Sequence, residues 1–457
     1  MTDISGPDAV VKDDDPRISA MPTKAFFVDM FTKDIALDQA VLDLLDNSID
    51  GARAMFGENA ETYDGRVVRI ELSRDRFRIW DNCGGFDKER ARKYAFRFGR
   101  PVEAGKLRSS IGQFGVGMKR ALFKFGREFT VHSATQGEQW AVYVNAEEWE
   151  KDDQDWHFPW EDFAPEAPIS ATNPGTEIVV KNLRPAVANT FGSKYFENQI
   201  IALIKSKHRG FIAKGIEVFV NDIRVQPLEL LVVNDAKLSP FVEEIVFADQ
   251  GVADVRVRII VGLGDSLPRL AGWYVVCNGR LILDADRRDI TGWGVVEDSV
   301  TKTGIPGFHN QYARFRGIIS FDSEDSTRLP WNTTKTDVDQ DNPVWQSARE
   351  RMIALMRPVI DFLNSLDRDI EEHTRERSPL LKFVQERAYS RFEHIVGEKT
   401  FDPPAREDLG EVIRWVKIQY SRTTDDVEFL KGALRVGSAK AVGEKTFDLS
   451  LAKHRPS

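Results

Sequence analysis

The segment Gly112-Gln113-Phe114-Gly115-Val116-Gly117-Met118-Lys119-Arg120-Ala121 constrains this chain more than any other. Three glycines run into a helical pattern, so free backbone N–H groups and the positive end of a helix dipole meet at one place, a seat for phosphate. Lys119 and Arg120 add positive charge. Context excludes the two commonest glycine-rich nucleotide folds. A dinucleotide fold needs a strand directly before the glycines, whereas a Ser- and Arg-bearing loop precedes Gly112. A P-loop needs Gly-Lys-Ser/Thr, and that triplet does not occur.

Three further segments accompany the glycines. The spacing of Leu37, Val41, Leu44, Leu45, Ser48 and Ala52 predicts an amphipathic helix over Ile35–Met55. Its opposite face carries Asp43, Asn47 and Asp50, either a solvated acidic face or hard oxygen ligands for magnesium on a polyphosphate. Strands fit Val67–Leu72 and Phe77–Trp80 as a hairpin. They lead into Asp81-Asn82-Cys83-Gly84-Gly85-Phe86, which reads as a tight turn or as a place where backbone approaches a flat ligand. Asp81 there can accept a hydrogen bond from an exocyclic amine. Finally, Gly175-Thr176 precedes a strand at Glu177–Lys181, where a Thr hydroxyl can support Asp81.

In this order the four segments resemble the GHKL ATPase superfamily of gyrase, heat-shock-90, histidine kinase and MutL proteins, over residues 25–185. The motif style is nearest to MORC-like and heat-shock-like members. The resemblance implies an α+β chain: a Bergerat-fold α/β sandwich ATPase domain, a smaller α/β transducer-like domain and a helical C-terminal region. It implies ATP and Mg2+ as ligands, with Asn47 the metal ligand, Asp50 on the same face and Asp81 on adenine with Thr176 behind it. Gly84 and Gly85 would shape the pocket. Gly112, Gln113, Phe114, Gly115, Val116, Gly117 and Lys119 would line the triphosphate under a lid of residues 97–117, made basic by Arg97, Arg100, Lys106 and Arg108. The family's catalytic Glu is replaced by Asp43 and the first glycine of Asp-x-Gly-x-Gly by Cys83. An Asp carboxylate sits about 1.5 Å farther back. Misplacement on the 1 Å scale can cost about 100-fold, so slow turnover is expected.

The remaining chain divides, on this reading, into an acidic N-terminal arm (1–24), the ATPase domain (25–190), the transducer-like domain (191–345) and a helical region (346–457). Cys277-Asn278-Gly279-Arg280 reads as an Asn-Gly hairpin turn between apolar strands. Leu329 to Thr336 resembles the transducer loop whose lysine, here Lys335, reaches the γ-phosphate. Asp87–Phe98 is expected to be helical with Asp87 as N-cap, and Glu147–Pro174 irregular. The heptapeptide Val396–Asp402 recurs at Val442–Asp448, so a duplicated helical unit or a chance repeat is expected.

A net charge of −9 excludes a DNA-coating protein but permits a local basic groove. Two cysteines exclude a disulfide scaffold and suit the cytoplasm, and no apolar run is long enough to span a membrane. The expected function is an ATP-dependent clamp or switch, as an ATP-dependent homodimer, acting on DNA or a client protein. The alternatives are an ATP sensor without turnover and a histidine kinase. The last has only a faint phosphoacceptor-like stretch at His373.

Overall fold

The computed structural model describes residues 22–57, 60–97, 111, 117–295, 304–373, 375–406, 416 and 418–455. Residues 1–21 of the expected arm and Gly112–Val116 therefore lie outside the described residues, and the arm's last residues are not loose: Thr23 caps the first helix and Lys24 is buried in it. Helices α1 (Lys24–Lys33) and α2 (Leu37–Phe56) come first. Helix α2 forms where the apolar stripe requires it, burying Val41, Leu44, Leu45, Ser48, Ile49 and Ala52. Strands β1 (Val67–Leu72) and β2 (Phe77–Asp81) make the expected antiparallel hairpin.

Asp87 caps the next helix, its carboxylate accepting from Arg90 N at 2.6 Å. That helix differs from expectation. After α3 (Lys88–Arg90) the chain widens into a π-turn, Ala91–Ala95, and stops at Phe96. Two contacts account for the stop. Lys119 Nζ takes the Ala95 carbonyl at 2.7 Å, and the Phe96 ring packs edge-on against Trp140 and Phe158.

Helix α4 (Gly117–Phe125) follows, then β3 (Gly126–Ala134), β4 (Gln139–Asn145), α5 (Ala146–Trp149), β5 (Trp160–Glu161) and β6 (Gly175–Leu183). The stretch expected to be irregular thus holds one short helical turn and one edge strand. Helices α6 (Pro185–Phe191), α7 (Lys194–Lys207) and α8 (Arg209–Ala213) lead to β7 (Glu217–Val220) and β8 (Ile223–Arg224). The eight strands form one mixed sheet in the order β5-β4-β3-β6-β2-β1-β7-β8, with β1 and β7 parallel. Helices α2 and α4 pack together over it, and α7 packs on α2.

A second sheet of five strands has the order β10 (Phe241–Phe247), β11 (Val255–Leu263), β14 (Phe315–Asp322), β12 (Gly272–Cys277), β13 (Arg280–Asp286). One face buries Leu230, Val232, Val242, Tyr274, Phe392 and Ile395 together. Elsewhere Trp273 donates to Met356 Sδ at 3.4 Å and Phe321 packs on Trp345, both from α9 (Pro343–His373). Coverage explains why β12 (Gly-Trp-Tyr-Val-Val-Cys) is apolar throughout, whereas β11 alternates Val-Arg-Val-Arg before its apolar second half. Strand β9 (Leu231–Val233) pairs with β15 (Tyr389–Arg391), so the C-terminal region expected to be helical also contributes a strand.

Two compact units result. The first runs to Asp367 and resumes over Phe383–Ala405; the second comprises Arg368–Lys382 and Arg406–Ser457. In the second, α11 (Thr424–Leu434) packs on α12 (Ala439–His454). Helix α10 (Pro379–Gln385) begins where Asp369 accepts from Leu380 N at 3.1 Å.

The duplicated-unit reading of the heptapeptide fails. Val396–Asp402 is non-helical: Lys399 bridges β10 and Phe401 is buried against Phe241 and Phe362. Val442–Asp448 lies inside α12 with Phe447 52% exposed. Contact with the second sheet, not local sequence, decides the first copy's conformation.

Candidate functional site

The first pole of the site stands at the end of β2. Asp81 is buried; Ser48 Oγ donates to Oδ2 at 2.7 Å and Cys83 N–H to Oδ1 at 2.9 Å. The Thr176 amide, its register partner on β6, also donates. Burial pushes the Asp81 carboxyl above its ordinary range while these donors pull it down, and burial wins. The hydroxyl expected from Thr176 is supplied by Ser48. Thr176 Oγ1 instead lies 3.3 Å from Ser133 Oγ, which accepts from Phe86 N at 2.8 Å. Sequence reasoning counted Ser48 only as part of the apolar stripe. A hydroxyl on such a stripe must find a buried partner, and that was the available signal.

The turn after Asp81 needs glycine for conformation and closeness. Gly85 has φ +60, and a Cβ there would lie 2.2 Å from the Ala134 carbonyl oxygen. Gly84, with φ +97, donates its N–H to Pro174 O at 3.0 Å. Cys83 is buried and burial pushes its thiol well up, so it fills space and carries no charge.

The second pole lies on α2. Asp43 Oδ1 accepts from Gln39 Nε2 at 3.2 Å and stands 3.5 Å from Lys335 Nζ. Gly117, first residue of α4, abuts Asp43. Asn47 is exposed one turn on. Asp50 Oδ1 accepts the Ile111 N–H at 2.8 Å, with Arg53 4.0 Å away, so Asp50 ties down the chain just before the glycine-rich segment. Gly112, Gln113, Phe114, Gly115 and Val116, with Arg100, Lys106 and Arg108, are outside the described residues; Arg97 is exposed. Lys119 is buried, its ammonium on Ala95 O, and burial pulls its pKa down to about 7. Arg120 turns the other way and donates to Phe31 O of α1 at 3.1 Å.

Between these residues lies a carboxylate to which sequence reasoning assigned no role. Asp46 is fully buried, beside Leu42 and Ile49 on the helix. Three groups from later in the chain converge on it: Lys335 Nζ at 2.8 Å, His208 Nε2 at 2.9 Å, and the Arg280 guanidinium in an ion pair. Burial alone would raise the Asp46 carboxyl, but Arg280 and Lys335 hold it far below the usual carboxylate range. Burial lowers His208 to about 4, so the ring is neutral and its Nε2–H donates to Asp46. Asp46 lies off the predicted apolar stripe, so nothing local marks it as buried; a carboxylate buried there demands such compensation.

Local structure presents each partner. Asn278 and Gly279 have φ +47 and +83, the two left-handed residues of a type I′ hairpin turn. Asn278 is clamped to Ser323 by bonds of 3.0 and 3.2 Å, so the next residue, Arg280, is delivered into the interior. Lys335 has φ +55 in a turn organised by Asn332, whose Oδ1 accepts from Thr336 N at 3.0 Å. Arg288 tethers the same loop through Asp337 at 2.8 and 3.0 Å.

A family model described as histidine kinase-, DNA gyrase B-, and HSP90-like ATPase matches residues 35–176. These residues are a GHKL ATPase domain. The match takes in Asp43, Asn47, Asp81 and the glycine-rich segment, and it ends before His208, Arg280 and Lys335. A search of curated proteins finds no match to the chain. The match over these residues supports ATP as a ligand. No described helix is long and apolar enough to cross a membrane.

Proposed function

We propose that the chain is an ATP-driven conformational switch with slow, magnesium-dependent hydrolysis. One observation carries the reading: Lys335, 289 residues beyond Asp46 in sequence, reaches α2 and stands 3.5 Å from Asp43. A lysine from outside the ATPase domain at the reacting end of its site lets nucleotide state act on the segment that carries it. In this reading Asp81 accepts from the adenine amine, with Ser48 holding its orientation. Gly84 and Gly85 shape the turn, and the glycine-rich segment through Gly117 receives the triphosphate. Lys119, whose ammonium holds Ala95 O, would join it through another of its three donors.

The donor set fits a metal that arrives with its nucleotide. Among the described residues no group of three or more His, Cys, Asp or Glu could hold an ion. Asn47 would offer one oxygen and Asp50 lies one turn on. Magnesium, when bound, would neutralise phosphate charge. Asp43 would accept a proton from water, since reach comes before pKa in general-base work.

Residues 25–190 and 191–345 are proposed as ATPase and transducer-like modules, with β7 and β8 of the latter extending the former's sheet, and residues 346–457 as the region that reads out the switch. A MORC-like homodimer acting on DNA or a client protein is the form of switch this arrangement suits. Two buried free thiols, Cys83 and Cys277, suit a cytoplasmic setting. The second reading, an ATP sensor without turnover, is favoured by the short Asp43 side chain lying beside a cation. His373 sits in the last turn of α9 with its ring nitrogen 3.1 Å from Asp369 O, and gives the kinase alternative no support.

Steady-state hydrolysis and ATP binding, measured with magnesium for the wild type and Asn47→Ala, test the proposal. Turnover lost in the variant supports a switch with hydrolysis. Tight binding without turnover in the wild type supports the sensor. A wild type that neither binds nor hydrolyses ATP sinks both.

A further inference from the structure

Lys335 makes unequal contacts with two carboxylates on one helix. Asp46 Oδ2 lies 2.8 Å from Nζ, a charge-assisted hydrogen bond within a fully buried cluster. Asp43 Oδ1 lies 3.5 Å away, too far for a strong hydrogen bond, and its side chain is 15% exposed. An ammonium has three donors, so Lys335 can keep Asp46 and still exchange its second partner. Asp46 is itself held by Arg280 and His208, from the β12–β13 hairpin and the end of α7. Two carboxylates and two cations therefore balance here, with a neutral imidazole as extra donor.

Resting on the reading of Lys335 as the group that meets the γ-phosphate, we propose that Asp46 is a positioning residue: it anchors Lys335 so that an arriving γ-phosphate displaces Asp43, not Asp46, from the ammonium. The exchange leaves Asp43 free to face water. Before the γ-phosphate arrives, Lys335 shares its charge with Asp43 and keeps that carboxylate occupied. ADP, lacking the γ-phosphate, leaves the sharing intact. Asp46 thus acts through Lys335 and touches no substrate. The same carboxylate links the ATPase helix to the second sheet, because Arg280 follows directly on the β12–β13 turn.

The test compares dissociation constants for ADP and for a non-hydrolysable ATP analogue, so it needs no turnover. In Asp46→Asn, preference for the analogue over ADP should fall about tenfold, the scale of one hydrogen bond to a charged group. ADP affinity should stay within about twofold of wild type, since the ADP complex keeps Lys335 on the carboxylates. Lys335→Met should lose the same preference, and the double variant should lose no more than Lys335→Met alone, because both act through one ammonium. Asp46→Glu, which restores the charge, should recover part of it.

If Asp46→Asn does not fold with Arg280 left unpaired, Asp46→Asn/Arg280→Met removes both buried charges and should show the same loss. Losses that multiply in the double variant, or ADP binding that weakens as much as analogue binding, would overturn the role of Asp46. A Lys335→Met protein with full preference would instead overturn the reading of Lys335. Failure of the wild type to bind either nucleotide would overturn the ATP site itself.

Discussion

The two poles of the site are built by opposite strategies. The Asp81 pole is local: Ser48, Cys83, Gly85 and Thr176 all lie within residues 48–176, and Asp81 receives neutral donors. The Asp46 pole is assembled across the chain, with His208, Arg280 and Lys335 arriving from three later elements, two of them as cations. A locally built recognition pocket can be rigid and indifferent to the rest of the molecule. A pole whose counter-ions come from elsewhere cannot change its charge without being felt in the segments that supply them.

Breaking the assembled pole should therefore cost stability as well as function. Arg280→Met removes one of two buried cations from Asp46. Breaking a buried pair by deleting one partner costs about 3–5 kcal/mol, and the remaining Lys335 puts the expected loss near the lower figure. Chemical denaturation would read it. A loss below about 1 kcal/mol, the range of surface pairs, would mean that the cluster is solvated in solution, and the contrast between the poles would disappear.

The local pole should fail differently, in affinity. Asp81→Asn replaces the acceptor and should weaken ADP binding by about 100-fold, since a site built to hydrogen-bond a group discriminates strongly once the partner is wrong. Ser48→Ala leaves the carboxylate but deletes one donor. It should cost about 1–2 kcal/mol in nucleotide affinity. Calorimetric titration with ADP measures both, and adding Lys335→Met to either variant should leave their effects on ADP unchanged. Coupling between Ser48 and Lys335 in that experiment would show that the poles are not separate.

The same contrast explains what could be read in advance. Short-range order was legible: the α2 stripe, the β1–β2 hairpin, the Asp87 cap and the Asn-Gly turn each depend on neighbours in sequence. Lys335 was reached through a resemblance, and the structure brings it to α2. Asp46 and His208 were not assigned roles, although Asp46 sits between two residues that were. Its meaning depends on partners 162 and 289 residues away, and no local pattern encodes them. The π-turn after Arg90 was hidden for the same reason, because Lys119 takes the Ala95 carbonyl from across the fold. The repeated heptapeptide is the limiting case: one sequence, two conformations, decided by what each copy meets.

Lys119, in the first turn of α4, offers the smallest effect to test. Burial lowers its ammonium to about 7, against the ordinary lysine value near 10.4. Between those two values the unfolded chain holds the proton that the folded chain releases, so this residue makes stability rise with pH from about 7 to about 10.4. Below pH 7 both states are protonated and the cost of burying the charge is at its largest. Lys119→Met removes that cost, so its melting temperature should exceed the wild type's by a few degrees at pH 6, on the scale of about 1–2 kcal/mol. The margin should shrink steadily toward pH 10. Melting curves of both proteins across that range measure the difference directly. A margin that stays constant would place the Lys119 ammonium in water, released from Ala95.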